Sequence, residues 1–290
     1  MKRVLILLLL LGCTTREPKP APQNPSPMVE FTRSHERVHQ RPLVGKRFTI
    51  EGLLAKPVEV LITPAAAKEA DLVIHFLGAS WLPMQAAEDS GRPIVMAVVN
   101  LGAGSGRYSI PFQDAAVFPR LIERIKAQSP PIRATYLSGF SAGYGAIREI
   151  LTQAPDAIDG VLLIDGLHTS YIPEKKVIAE GGKLDETKLT PFLRYAERAA
   201  HGEKRFVITH SEIFPGTFAS TTETTDYLVK QLGIKRTAVV QWGPHGMQQL
   251  SEAKQGSFIV MGFAGNSAPD HIDQLHGLST FLAMLLGSGL

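Results

Sequence analysis

Ser141 lies between two glycines in Leu137-Ser138-Gly139-Phe140-Ser141-Ala142-Gly143-Tyr144-Gly145-Ala146, a G-x-S-x-G pattern. A serine hydroxyl is a weak nucleophile until its surroundings expose it, take its proton and stabilise the charge that its attack creates. The glycines serve the first of these needs through sterics. A strand that reverses at once into a helix presses its neighbours together, so side chains at 139 and 143 would clash, and the serine is left standing at the carboxyl edge of the sheet. The N–H of Ala142, at the start of the helix, then points to where an oxyanion would form.

The pentapeptide alone is a weak signal, and its context carries the reading. Pro130-Pro131 break any preceding helix, and Ile132 to Leu137 is a short run of β-branched and apolar residues that predicts a strand. After the turn, Ala146, Ile147, Ile150 and Leu151 recur at helical spacing and Pro155 follows. Strand, sharp turn and helix together make a nucleophile elbow.

The elements that must position such a serine follow from the rest of the chain. Arg47 to Gly52 and Pro57 to Thr63 predict an antiparallel pair, and Asp71 to Leu77 a buried strand. Pro93 to Asn100 predicts another. The glycines of Leu101 to Arg107 invite a dinucleotide-loop reading, but Arg107 holds the third glycine position and Tyr108-Ser109-Ile110-Pro111 follows where a helix should start, so a flexible loop is expected there. Ala115 to Ala127 reads as an amphipathic helix. Gly160 to Asp165 is an apolar run ending in a carboxylate, and Gly166 to Lys204 a long connection, with a helix at Leu189 to Ala200, expected to form a small lid over the site. Arg205 to Thr209, Thr237 to Trp242 and Phe258 to Phe263 are further strand-like runs. A helix at 222–232 and a terminal helix bearing Leu275, Leu278, Leu282 and Leu285 complete the pattern. Strands alternating with helices predict a largely parallel sheet covered on both faces.

An oxyanion-type turn, a serine on an elbow, carboxylates at later strand ends and a histidine between the last strand and the last helix occur in that order, and the order resembles the α/β-hydrolase family. The resemblance spans roughly residues 47 to 290, with the elbow as its specific motif. It implies an α/β-hydrolase fold and acyl transfer to water, in which a histidine takes the serine proton and a carboxylate holds the histidine in the right tautomer. Gly78-Ala79-Ser80-Trp81, closing an apolar strand, resembles the family's oxyanion loop and nominates the N–H of Ala79 as second donor. The sequence departs from the commoner form in having Leu77 directly before the glycine, and His75 reads as a packed strand residue. Of nine histidines, His271 falls where the family places its base, with His276 and His245 as alternatives. Asp165 is the first choice for the acid, with Glu212, beyond the next strand, as the alternative. Substrate choice is assigned to the lid and to Trp81, Tyr108, Phe112 and Tyr144. The family reaction needs no cofactor, and the sequence offers no C-x-x-C or H-E-x-x-H metal spacing. The expected substrate is a small-molecule or polymer ester; the competing class is a binding protein on the same scaffold that has lost catalysis.

Composition and the amino terminus bound where this happens. In 290 residues, 44% apolar and 20% charged, 30 Lys and Arg face 27 Asp and Glu, so no nucleic-acid partner is implied. Lys2 and Arg3 precede the apolar run Val4 to Leu11, which is too short to span a bilayer. Leu10-Leu11-Gly12-Cys13 resembles the bacterial lipoprotein box, which implies a signal peptide over 1–12 and lipidation of Cys13, the one cysteine in the chain. Residues 13–30 form a proline-rich tether, and 31–290 the folded domain. The expected location is the bacterial cell envelope, lipid-anchored, on the outer membrane facing the periplasm if the host is Gram-negative, since no Asp follows the cysteine.

Overall fold

A computed structural model describes residues 35–287. The segments expected to be a signal peptide and a tether, with Cys13, lie outside the described residues. In chain order the elements begin with β1 (Lys46–Ile50), β2 (Val58–Ile62), β3 (Ala70–Phe76), α1 (Trp81–Asp89), β4 (Ile94–Val99), α2 (Gly106–Gln113) and α3 (Val117–Lys126). They continue through β5 (Ile132–Phe140), α4 (Tyr144–Gln153), β6 (Gly160–Ile164), the short pair β7 (Tyr171–Ile172) and β8 (Lys183–Leu184), and α5 (Thr190–Ala200). The last third holds β9 (Arg205–His210), α6 (Thr221–Gln231), β10 (Thr237–Trp242), β11 (Gln248–Gln255), β12 (Phe258–Phe263), α7 (Ala268–His276) and α8 (Leu278–Leu285). None of these helices is long and apolar enough to cross a membrane.

The main sheet has the order β1-β2-β4-β3-β5-β6-β9-β12-β11-β10. Its six central strands, from β4 to β12, run parallel, and antiparallel pairs extend it at both ends. The central strands read as continuous apolar runs because successive side chains point to opposite faces and both faces are covered. On one face Leu72, Ile74, Val95, Leu137, Leu163, Ile208 and Val260 pack against α2 to α6; on the other Val73, Met96, Leu162, Val207 and Met261 pack against α1, α7 and α8.

Several elements differ from expectation. Where a flexible loop was expected, α2 forms, because burying Tyr108 and Phe112 outweighs the glycines before it and Pro111 within it; Phe112 meets Phe76 edge-on at 5.4 Å. Trp81, expected to close a turn, begins α1, which buries Leu82, Met84 and Ala86. The polar segment Gln248–Gln255 forms β11 between β10 and β12, its strand conformation imposed by pairing on both sides. The terminal helix is divided at Gly277 into α7 and α8. In the 166–204 connection, α5 packs on the sheet through Phe192, which stacks on Phe206, and Tyr195, which meets it edge-on, so this helix belongs to the core.

Candidate active site

At the end of β5 the chain passes into a helical turn, Ser141–Gly143, and then into α4. Ser141 adopts φ +47, a left-handed conformation that costs a residue with a side chain about 1–3 kcal/mol and persists only where its surroundings enforce it. They do so by close backbone approach. A Cβ on Gly143 would stand 2.3 Å from the carbonyl oxygen of Phe76 at the end of β3. A Cβ on Gly166, a residue the elbow pattern does not include, would stand 2.2 Å from the carbonyl oxygen of Ser141 and 2.6 Å from its nitrogen. Ala142 is the second residue of the turn, where early N–H groups have no acceptor within the helix.

Asp165 follows β6 directly, at φ +43, and its N–H donates to the Thr209 carbonyl at 2.8 Å. Aspartate tolerates this conformation better than most residues. Its carboxylate is buried and fully engaged. Oδ1 accepts from the Ser211 N–H at 2.9 Å, and Oδ2 accepts from Ser211 Oγ at 2.6 Å and from His271 Nδ1 at 2.7 Å. Burial pushes the carboxyl pKa up, but the hydrogen bond and charge of His271, with the two bonds from Ser211, outweigh it and hold the group below the usual aspartate value.

His271 is the fourth residue of α7, in its first turn, rather than in the loop that leads into the helix. Ser267 and Asp270 form a reciprocal capping box at that helix start. The imidazole packs on Phe140, the residue before Ser141, with ring centroids 4.5 Å apart. A carboxylate only accepts, so Nδ1 carries the proton in this bond, and in the neutral ring the lone pair is left on Nε2. Ser141, Asp165 and His271 line one cavity of about 300 Å³. No hydrogen bond joins Ser141 Oγ to the imidazole among the described residues; such contacts often tighten only when substrate binds. A serine, an imidazole oriented by a carboxylate, and free N–H groups at a helix start can together pass a proton and hold an oxyanion.

The alternatives lie elsewhere. His276 Nδ1 accepts from the Val38 N–H at 3.0 Å, and its ring packs beside Trp81. His245 sits in the turn between β10 and β11, and Glu212 joins the ends of β9 and β12 through both backbone and side-chain bonds to Gly265. None of the three lines the cavity. Ala79 is exposed beyond the β3 turn and is not among the cavity's lining residues, although its N–H has no acceptor among the described residues. His75 is a buried strand residue, as its position predicts.

The residues that line the cavity differ from those expected to face a substrate. Tyr108, Phe112 and Tyr144 are buried, and Trp81 packs among helices; the cavity walls are instead Ile213, Pro215 and Phe218, with His168. Ser211, Gly166 and His168 were therefore missed. Asp165-Gly166 at a strand end was a usable signal for the second, since glycine there permits close backbone contact. His35, Asp270 and Asp273 offer ligand atoms within 4.8 Å of one another, but the Arg37 guanidinium at 2.9 Å from Asp273 opposes a metal cation there. A larger depression of about 710 Å³ between α4 and α5, edged by Arg148, Lys188, Arg194 and Arg198, contains none of the residues of the elbow.

No family model and no curated protein matches the sequence. Solved structures do match. The enterobactin esterase of Shigella flexneri aligns with 17% identity over 85% of this chain and 60% of its own, at a TM-score of 0.53. The feruloyl esterase module of Clostridium thermocellum aligns with 11% identity over 88% and 96%, TM-score 0.52, and an S-formylglutathione hydrolase of Agrobacterium tumefaciens with 12% over 86% and 99%, TM-score 0.50. The chain thus spans about three fifths of the enterobactin esterases. At these identities the likeness carries the fold, which is the α/β-hydrolase fold.

Proposed function

We propose that this chain is a serine hydrolase acting on carboxylic esters, with Ser141 as nucleophile, His271 as base and Asp165 as the carboxylate that orients it. The observation that carries the reading is the His271–Asp165 hydrogen bond at the cavity lined by Ser141, the serine being held at φ +47 on a strand-to-helix turn. Ser141 Oγ attacks the ester carbonyl as its proton passes to His271 Nε2. The Ala142 N–H stabilises the oxyanion, and the imidazolium returns the proton to the departing alcohol. Water, activated by the same imidazole, then releases the acid from the acyl-enzyme. The buried, multiply bonded Asp165 stabilises the imidazolium in both halves.

Esterases among the structural neighbours favour small-molecule or polymer esters as substrates. Treatment with a fluorophosphonate followed by mass spectrometry should place the adduct on Ser141, and Ser141→Ala should abolish hydrolysis of p-nitrophenyl acetate. An adduct elsewhere, or undiminished activity of the variant, refutes the mechanism. The exposed position of Ala79 favours the competing reading, a binding protein without catalysis, and an unlabelled, inactive wild type would establish it. The same proposal places the enzyme on the cell envelope through lipid on Cys13, held off the membrane by the tether. Cys13→Ser should release the protein from membranes, and recovery of the wild type as a soluble species starting at another residue would overturn the anchor.

A further inference from the structure

His168 faces the cavity from the start of the 166–204 connection and takes no part in the proton relay. Its Nδ1 stands 2.9 Å from the carbonyl oxygen of Ala219. A carbonyl only accepts, so Nδ1 must carry a proton. Burial lowers the pKa of this histidine, the Ala219 bond opposing that only in part, so the ring is neutral near pH 7. A neutral imidazole has one N–H, and Ala219 already occupies it. Nε2 is therefore a lone-pair acceptor, and it has no partner among the described residues. The ring cannot readily turn to offer its other edge: Tyr144 and Phe218 meet it edge-to-face, with centroids at 5.4 and 5.0 Å.

The wall beside it is apolar, built of Ile213, Pro215 and Phe218. A substrate that displaces water from this wall without supplying a donor leaves the acceptor unpaired, which costs about 1–3 kcal/mol. A carboxylate, itself acceptor-only, is disfavoured there for the same reason. Asn266 and Thr221, also on the lining, can each both donate and accept and do not discriminate. We propose that His168 is a specificity-determining residue that accepts a hydrogen bond from a hydroxyl of the substrate, so that the site selects neutral, hydroxyl-bearing esters. This rests on the serine-esterase reading above.

The test compares kcat/KM across matched methyl esters, benzoates and short aliphatic acyl esters, each as the free hydroxyl compound, its O-methyl ether and the unsubstituted parent. The wild type should prefer at least one hydroxyl ester over its ether by about tenfold, the scale of one net hydrogen bond. In His168→Phe that ratio should collapse towards one, and in His168→Gln, whose amide oxygen still accepts, it should be partly retained. Thermal unfolding checks that the variants fold; if His168→Phe does not, the wild-type ratio and His168→Gln decide. Absence of any hydroxyl preference in the wild type, or the same preference after substitution, overturns the inference. Hydrolysis of p-nitrophenyl acetate that depends on Ser141 separates the two failures: with it present, only the role of His168 falls, and with it absent, the esterase reading has failed first.

Discussion

Acidification should destabilise the domain through His75, by an amount the structure sets. The side chain is fully buried in β3, its Nε2 donating to the Leu77 carbonyl and its Nδ1 accepting from Ser138 Oγ, both at 2.9 Å. Burial lowers its pKa from 6.5 to about 4, the Leu77 bond opposing this only in part. The unfolded chain takes up a proton near pH 6.5, whereas the folded chain refuses it until about pH 4. Between those values the unfolded state binds more protons, so stability falls as pH falls, and the loss is nearly complete at the folded pKa. At about 1.4 kcal/mol per pH unit, the wild type should lose about 3 kcal/mol through this group between pH 7 and pH 4. Urea unfolding of the wild type and of His75→Gln at both pH values isolates the effect. The variant starts less stable, having lost native hydrogen bonds, but its stability should fall by about 3 kcal/mol less over the same interval. Other histidines with lowered pKa, His168, His210 and His276, are common to both proteins and cancel. Parallel pH profiles for the two would refute the assignment of a buried, neutral His75.

Gly166→Ala should lower p-nitrophenyl acetate turnover by more than about 100-fold and stability by about 2 kcal/mol or more, because a methyl group 2.2 Å from the Ser141 carbonyl must displace the elbow; a variant with unchanged kinetics would contradict that contact. Asp165→Asn should cost about 10⁴-fold in turnover without unfolding the domain, since it upsets the tautomer of His271, while Glu212→Gln stays within a few-fold. The reverse pattern would move the acid to the end of β9.

Legibility in the sequence followed the range of the physics involved. Several parallel strands were readable because burial on both faces makes them continuous apolar runs, as at Val161-Leu162-Leu163-Ile164. The helix expected over 222–232 forms as Thr221–Gln231, and the elbow was readable from two glycines between a strand and a helix. What escaped was set by partners distant in the chain. β11 is polar and exists through its neighbours; α2 contradicts its own glycine-rich entry because Tyr108 and Phe112 find a core. Ser211 and His168 are ordinary loop residues until the ends of β6 and β9 are side by side, which places Ser211 against Asp165 and Ala219 against His168. Tyr108 and Tyr144 were assigned to substrate because their chemistry suits that role equally well, and only packing distinguishes the two uses.

The same contrast explains how His271 reaches a carboxylate on β6. In the sheet, β12 is separated from β6 by β9, so at about 4.8 Å per strand the chain leaving β12 begins roughly 10 Å from the line of Asp165. The connection that must return is short. It turns at Gly265, at φ +123, where a Cβ would stand 2.4 Å from Asp270 Cγ, so the Asp270 side chain fills the space over the turn. From there Asp270 Oδ2 accepts from the Ser267 N–H at 2.9 Å, while Ser267 Oγ accepts from the Asp270 N–H, which starts α7 at Ala268 and sets its direction. Given that direction, the fourth residue of the helix is His271, and its ring lands on Phe140 and the Asp165 carboxylate. A local capping motif, written in the four residues Ser267 to Asp270, thus aims a side chain across the carboxyl edge of the sheet; the sequence singled out position 271 only by its place between the last strand and the last helix, as the resemblance implies, because the direction set by the cap is not visible until the ends of β6, β9 and β12 are side by side.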